Sequence, residues 1–437
     1  MKALRYLVIL AGFACTATTC NLGKYLIGGT VTGLHGSGLV LENNSGDSLT
    51  ITGNGTFTFT DGIKNNDAYS VTVATEPSDP VQTCTVHNGS GTIDAAAITN
   101  VVVTCVQAGR FAFVADQTAN AISAFAIDST NGVLSAVDGS PYTSGGTAPY
   151  SMVVDPNQAY LYVANYSSNS VSVYAIDYDT GQLSSSGTAI PTGNNPAAVV
   201  VDPSNSYLYV ANWSDGTVSA YTISAGVATA VTGSPYIVGT DPFALAVDPS
   251  GNFLYVTNYG SNDVTVFSIG VGTGELTTIS GSPFGTGTGP VAIAIDPTDT
   301  FAYVANETSD SISEFALDPT TGALTVVTGS PLGTGSAPES LVVAPTGSYL
   351  YGANVTSANA VGTFGLTATT GVLSIASTVA AGSLPLSVAV DPAGTFVYAA
   401  NYNSGSVSVY SVSGSTLTAV SGSPFAADSG ARSIAID

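Results

Sequence analysis

The chain has 437 residues and a formal net charge of −23, with six lysines and arginines in all and 8% charged residues, against about a quarter in an average soluble protein. So few cations exclude nucleic acid and anionic membrane surfaces as partners, because phosphate is held by Lys and Arg. With 44% hydrophobic residues the chain can bury a core, and its Val, Thr and Tyr favour strands while 49 glycines supply turns; the expected class is all-β, in more than one domain at this length.

Lys2 and Arg5 precede an apolar run over residues 6–14. This is the pattern of a short export leader within residues 1–20, too short to stay in a bilayer as a helix. Cys15 or Cys20 stands where a bacterial lipoprotein would carry its lipid; a plain cleaved signal peptide is the alternative. Either route predicts an exported protein in the periplasm, at the outer membrane or cell surface, or in the medium. A membrane would then be met only through a lipid anchor.

Residues 25–106 carry short alternating segments at 26–34, 38–42, 48–60, 69–75, 82–87 and 100–105. Gly, Asn and Asp clusters part them, and Asn54-Gly55 is a hairpin-type dipeptide. The expectation is a small β-sandwich. Cys84 and Cys105 lie in two of the segments and are expected to bond across that sandwich, which export permits. His35 and His87 stand 52 residues apart and read as surface or strand residues. With no Cys or His at ligand spacing, no metal site is expected.

From residue 107 to 437 one unit recurs. An Asp-Pro corner or its equivalent returns at Asp155, Asp202, Asp248, Asp296, Ala344, Asp391 and Asp437. An Ala-Asn-like pair ends at Asp116, Asn165, Asn212, Asn258, Asn306, Asn354 and Asn401. Steps of 46 to 49 residues are propeller-blade length. In the unit read from Asp241, strands are expected at 243–247, 253–257, 264–269 and 276–279, parted by turn residues. The first copy opens at its second strand and residues 433–437 read as an inner strand with nothing after it. The fold expected for 107–437 is therefore a seven-bladed β-propeller closed by the C-terminal strand, which removes the exposed sheet edges of an open array.

Leu161-Tyr162-Val163-Ala164-Asn165, its counterpart at 208–212 and Leu254-Tyr255-Val256-Thr257-Asn258 resemble the YVTN repeat. The propeller is thus similar to a broad family that includes bacterial 6-phosphogluconolactonases, muconate-type lactonizing enzymes and non-enzymatic surface proteins. The stretch Gly53-Asn54-Gly55-Thr56-Phe57-Thr58-Phe59 resembles small carboxypeptidase-regulatory or bacterial immunoglobulin-like domains. The resemblance to the lactonases implies Pro-Arg-His at the entry to an inner strand and Asn-Glu after a second strand. Here Arg432 matches the Arg, Asn306-Glu307 matches the acidic pair, and no entry has His.

Two readings of function follow. The first is an exported binding or scaffold module with a polar ligand such as a glycan, or with a peptide or protein partner. Its binding rim would be Tyr150, Tyr166, Trp213, Phe243, Tyr259 and Tyr402, at the loops that share one face of the ring. The second is a lactone hydrolase of the 6-phosphogluconolactonase kind, using Glu307, Glu339 and Arg432, which requires those three to meet at the channel mouth. Neither reading calls for a cofactor, since no phosphate loop, nucleophile elbow or metal-ligand cluster is present in the sequence. Asp177 and Asp318 precede Thr-Gly turns and read as local backbone caps rather than calcium ligands.

Overall fold

A computed structural model describes residues 24–34, 36–78, 82–106, 110–354 and 359–437. The leader, Cys15, Cys20 and His35 lie outside the described residues.

The repeat unit folds as expected. In the fourth blade Pro242–Val247, Phe253–Asn258, Asp263–Ile269 and Leu276–Thr278 form a four-stranded antiparallel ladder. Seven such sheets are present, and each inner strand lies beside the next. The first sheet takes its inner strand from the end of the chain: Ala431–Ile436 pairs antiparallel with Phe111–Asp116. The same strand lies beside the inner strand of blade 2, Pro149–Val154, and this closes the ring.

The Asp-Pro corners explain why the unit is so regular. Where the corner is an aspartate, as in every blade but the sixth, its carboxylate accepts backbone N–H groups at the start of the following strand. Asp155 Oδ1 takes those of Ala159 and Tyr160 at 2.7 and 2.8 Å, and Asp391 Oδ1 those of Thr395 and Phe396 at 2.7 Å. Asp437 does the same at the seam, accepting from Arg110 at 2.6 Å and Phe111 at 2.8 Å across the whole length of the propeller. These are charge-assisted bonds to donors that would otherwise be stranded in a buried turn. The repeat Asn plays the matching role at the other end of the second strand. Asn165 and Asn401 are fully buried, and their Nδ2 groups donate to Ser172 and Ser408 on the third strand.

Between the blades the repeat tyrosines fill the core. Tyr162, Tyr209, Tyr255, Tyr303, Tyr351 and Tyr398 are all essentially inaccessible. The Tyr255 hydroxyl donates to the Gly322 carbonyl of the neighbouring blade at 3.2 Å. Gly322 itself has φ +72, and a Cβ there would sit 2.5 Å from the Phe253 ring, so the turn demands glycine on both counts.

One element was not foreseen. Six blades carry an extra two-residue strand on the third strand, such as Phe284–Gly285 on Asp263–Ile269 in blade 4. The signal was a recurrent Gly-Ser-Pro, as at Gly281-Ser282-Pro283, whose serine Oγ accepts the Val266 N–H at 2.9 Å.

The N-terminal part forms two four-stranded sheets over one apolar core that includes Ile27, Leu39, Leu41, Phe57, Val101 and Val103. Three expectations need correction here. The segment 48–60 is two strands, Asp47–Ile51 and Gly55–Thr58, which belong to different sheets. Asn54-Gly55 is accordingly not a hairpin but a crossing between sheets. The Asn54 side chain holds it there, accepting from Leu34 N and donating to Leu34 O. Cys84 and Cys105 are bonded, but within one sheet: they are opposite partners on Thr83–His87 and Ile98–Val106, with Cα atoms 3.9 Å apart. This sandwich rests on the Asp-Pro corners of the ring. Gly33 N donates to Asn157 Oδ1 at 2.8 Å and Asn88 Nδ2 to Ser250 O at 3.4 Å.

Candidate functional site

The second residue of each inner strand faces the channel mouth, on the side of the ring away from the sandwich. In ring order from blade 1 these positions are Arg432, Tyr150, Ala197, Phe243, Val291, Glu339 and Leu386, and all seven line one cavity of about 210 Å³. Beneath them the strands contribute Ser151, Ser340, Ser387 and Ser433. These serines went unnoticed in the sequence. Three of the four accept a backbone N–H from the next inner strand, Val199, Val388 and Ile434 respectively, and so tie neighbouring blades together at the cavity wall.

The mouth brings Glu339 and Arg432 into one cavity. Two blade positions separate them, with Leu386 between, so they interact through the field rather than by contact. The Arg432 guanidinium lies over the Tyr150 ring, 3.5 Å from its centroid, and among the described residues no carboxylate pairs with it. Such stacking fixes a long side chain without consuming its N–H donors. Burial first and the Glu307 carboxylate second, with Arg432 opposing both, push the Glu339 carboxyl up to about 7. Glu307 is not part of the cavity wall. Its backbone N–H donates to Gly289 O at 2.8 Å on the rim, from where its charge acts on Glu339 and Tyr150. Burial raises the Tyr150 hydroxyl as well, with Arg432 opposing.

The aromatic residues divide. Tyr150 and Tyr166 stack with centroids 5.0 Å apart, Tyr150 meets Phe243 edge-on at 6.1 Å, and Trp213 lies 5.5 Å from Phe243 and 5.6 Å from Tyr259. Five rings thus form one continuous arc over blades 2 to 4. Tyr402 stands apart on blade 7, its hydroxyl 3.4 Å from Thr118 Oγ1 across the seam.

The other residues singled out in the sequence have structural places. Asp177 Oδ1 accepts the N–H groups of Asp179 and Thr180, and Asp318 Oδ1 those of Thr320 and Thr321, as turn caps. His87 ends a sandwich strand, with burial lowering its imidazole, and borders a cavity of about 1080 Å³ between sandwich and ring corners.

Fold and mouth together define a seven-bladed propeller whose channel opens on a half-buried acid, an arginine and an aromatic arc. The family described as Lactonase, 7-bladed beta-propeller matches residues 72–194, 226–335 and 327–423, and the chain belongs to that family. No curated protein sequence matches the chain. Among solved structures, a Bacteroides uniformis protein provisionally assigned as a 6-phosphogluconolactonase superposes with a TM-score of 0.67 at 19% identity, covering 76% of this chain and 100% of its own. A Lactobacillus plantarum protein gives 0.65 at 21% identity, with 76% and 100% covered. The periplasmic gluconolactonase of Pseudomonas aeruginosa gives 0.63 at 20% identity, with 74% and 97% covered. At these identities the likeness is one of fold.

Proposed function

We propose that the protein is a lactone hydrolase acting on an uncharged lactone at the channel mouth. The observation that carries this reading is Glu339, a half-buried carboxyl held near 7 in the same cavity as Arg432. A general base works best with a pKa near the operating pH. Ionised Glu339 would take a proton from water as the oxygen attacks the lactone carbonyl. Arg432 would stabilise the oxyanion, and Glu339 would return the proton to the ring oxygen as the acyl C–O bond breaks. The product is the open hydroxy acid, and no atom or electron remains unaccounted for. Family membership supports this order of the two readings, reversing the one drawn from sequence, where the missing histidine weighed against catalysis.

The substrate is uncharged on this reading because the mouth has one arginine against two carboxylates. A phosphorylated lactone would bring a dianion towards Glu307 and Glu339 with a single cation to hold it. The gluconolactonase named among the similar structures is periplasmic, and the Cys84–Cys105 bond suits an oxidising compartment; we infer export on those grounds.

The test is hydrolysis of a panel of neutral sugar 1,5-lactones by the purified protein, followed by proton release. Turnover above background is expected, reduced at least about a hundredfold in Glu339→Gln, with little turnover of the 6-phosphorylated lactone. A folded protein that hydrolyses no neutral lactone overturns the proposal.

A further inference from the structure

The aromatic arc is larger than a lactone needs. Only Tyr150 and Phe243 line the cavity. Tyr166, Trp213 and Tyr259 continue the row outward over blades 2 to 4, each half-buried, with neighbouring centroids 5.0 to 6.4 Å apart. Phe243 and Tyr259 also pack against the core of blades 5 and 6, and the Tyr259 hydroxyl lies 3.4 Å from Thr308 Oγ1, whereas Tyr166 and Trp213 belong to no core cluster among the described residues. Three tyrosines that pack between blades donate their hydroxyls to backbone carbonyls of the preceding blade: Tyr174 to Thr143, Tyr221 to Pro191 and Tyr410 to Ala380. On the arc, the Tyr150 and Tyr166 hydroxyls and the Trp213 indole N–H have no hydrogen-bond partner among the described residues. A ring with an apolar face and an unused polar tip is built to meet something amphipathic.

The surroundings narrow what that is. The loops beside the arc present Asn194, Asn195 and Ser214. Ser214 Oγ donates to Asn195 Oδ1 at 2.7 Å, and Asn195 Nδ2 to Tyr166 O at 3.1 Å, so these amides are already fixed in place. Arg432 sits over Tyr150 at the mouth end, but the charged groups beside the outer rings are acids: Asp215, which holds Asn194 through two bonds, and Asp241, whose carbonyl receives the Tyr259 N–H. Acids beside the rings disfavour uronates, sulfated sugars and nucleotides, whose charge they would repel. An uncharged sugar offers what remains: C–H faces to lie on the rings and hydroxyls for the amides, indole and phenols.

We propose that the arc is a binding platform for a neutral oligosaccharide, running from the channel mouth outward over blades 2 to 4. It goes beyond the hydrolase reading and does not depend on it, because a platform binds whether or not the mouth turns anything over. If both hold, the lactone is the terminal unit of a longer sugar.

Trp213 is the only tryptophan of the chain, so its emission reports on the platform alone. Titration of the purified protein with neutral gluco-, xylo- and chito-oligosaccharides of one to six units should shift or quench that emission, with affinity rising with chain length. In calorimetry with the best of these, Trp213→Ala and Tyr166→Ala should each weaken binding about tenfold, with Trp213→Phe restoring part of it and all three melting like the parent. Unchanged emission with every sugar overturns the proposal. So does equal binding of an oligouronate, or binding of unstructured peptides in preference to the sugars. Lactone hydrolysis without sugar binding would sink the platform alone, and sugar binding without hydrolysis would sink the catalytic reading alone.

Discussion

The two faces of the propeller use carboxylates in opposite ways. On the corner face, Asp155, Asp202, Asp296, Asp391 and Asp437 each accept two backbone N–H groups. Their charge is spent on closing a turn, and the same geometry repeats blade after blade. At the mouth, Glu339 has no such partner, occurs once, and is left to burial and to neighbouring charges. Repetition therefore marks acids that serve the fold, and the solitary acid in the shared cavity is the one the proposed hydrolysis would use.

The largest break of this contrast comes from the strand that serves both faces. Ala431–Ile436 brings Arg432 to the mouth, and Asp437, which follows it, caps the opposite corner. Removing residues 432–437 should unfold or aggregate the propeller, because it opens two sheet edges beside the channel. A monomeric truncation with unchanged melting would refute ring closure by this strand. Next in size is Asp296→Ala, which strands the Thr300 and Phe301 N–H groups and should cost about 2–4 kcal/mol in denaturant unfolding. Blade 6 performs the reverse experiment, since Ala344 stands in the same corner and Gly347 N still bonds its carbonyl at 2.8 Å. Ala344→Asp should accordingly stabilise by about 1 kcal/mol.

How much of this was legible follows from the same contrast. Blade number, strand bounds and seam could be read because seven copies report one set of constraints, down to Asp437 standing in for an Asp-Pro corner. The sandwich has a single copy, and there the reading of 48–60 as one segment with a hairpin-type Asn54-Gly55 failed. An Asn-Gly bridged two sheets instead of turning within one, because the Asn54 side chain was taken up by Leu34. At the mouth, the sequence named Glu339, Arg432 and the aromatics, but not which of them meet. Tyr402 was indistinguishable from Tyr166 by register, yet only Tyr166 finds a ring to stack on, because Tyr150 is aromatic where blade 7 has Leu386.

A smaller effect is expected where one corner breaks the rule. In blade 3, Asn205 Nδ2 donates to Asp155 Oδ2 of the preceding blade at 2.9 Å. In blade 5 the corresponding residue is Asp299, facing Asp248 and Ser250, with Asp296 close enough to act on it. Burial first and the Asp248 charge second push Asp299 up to about 7, and its Oδ1 has no hydrogen-bond partner. The folded pKa lies above the ordinary 3.8, so the native state holds a proton the unfolded chain has released. Stability from this pair is complete below about pH 3.8 and is lost as pH rises through about 7. Asp299→Asn supplies the donor without the proton. It should stabilise by about 1–2 kcal/mol at pH 8 and by little at pH 5. Equal effects at both pH values would show that the two carboxyls do not share a proton.

The smallest effect on stability, and the largest on chemistry, belongs to Glu339. Its carboxyl is raised from 4.5 to about 7 by burial first and Glu307 second, with Arg432 pulling the other way. Between those values the folded protein keeps a proton that the unfolded chain gives up, so stability falls as pH rises through about 7. A general base needs the opposite condition, and turnover should rise with pH over the same window and level off above it. The two profiles should therefore cross. Glu339→Gln separates them, since it removes the acid that must ionise in a half-buried site. Its melting point should exceed the parent's at pH 8, by the equivalent of about 1 kcal/mol after allowance for solvent screening, and match it at pH 5. Glu307→Gln should move the turnover midpoint down, because it takes away a repelling charge and leaves Arg432 unopposed, and should leave the plateau rate largely intact. A turnover profile flat from pH 5 to 9, or a midpoint that does not move in Glu307→Gln, would mean that the base lies elsewhere and that the isolated acid of the mouth face does no more for catalysis than the spent acids of the corners.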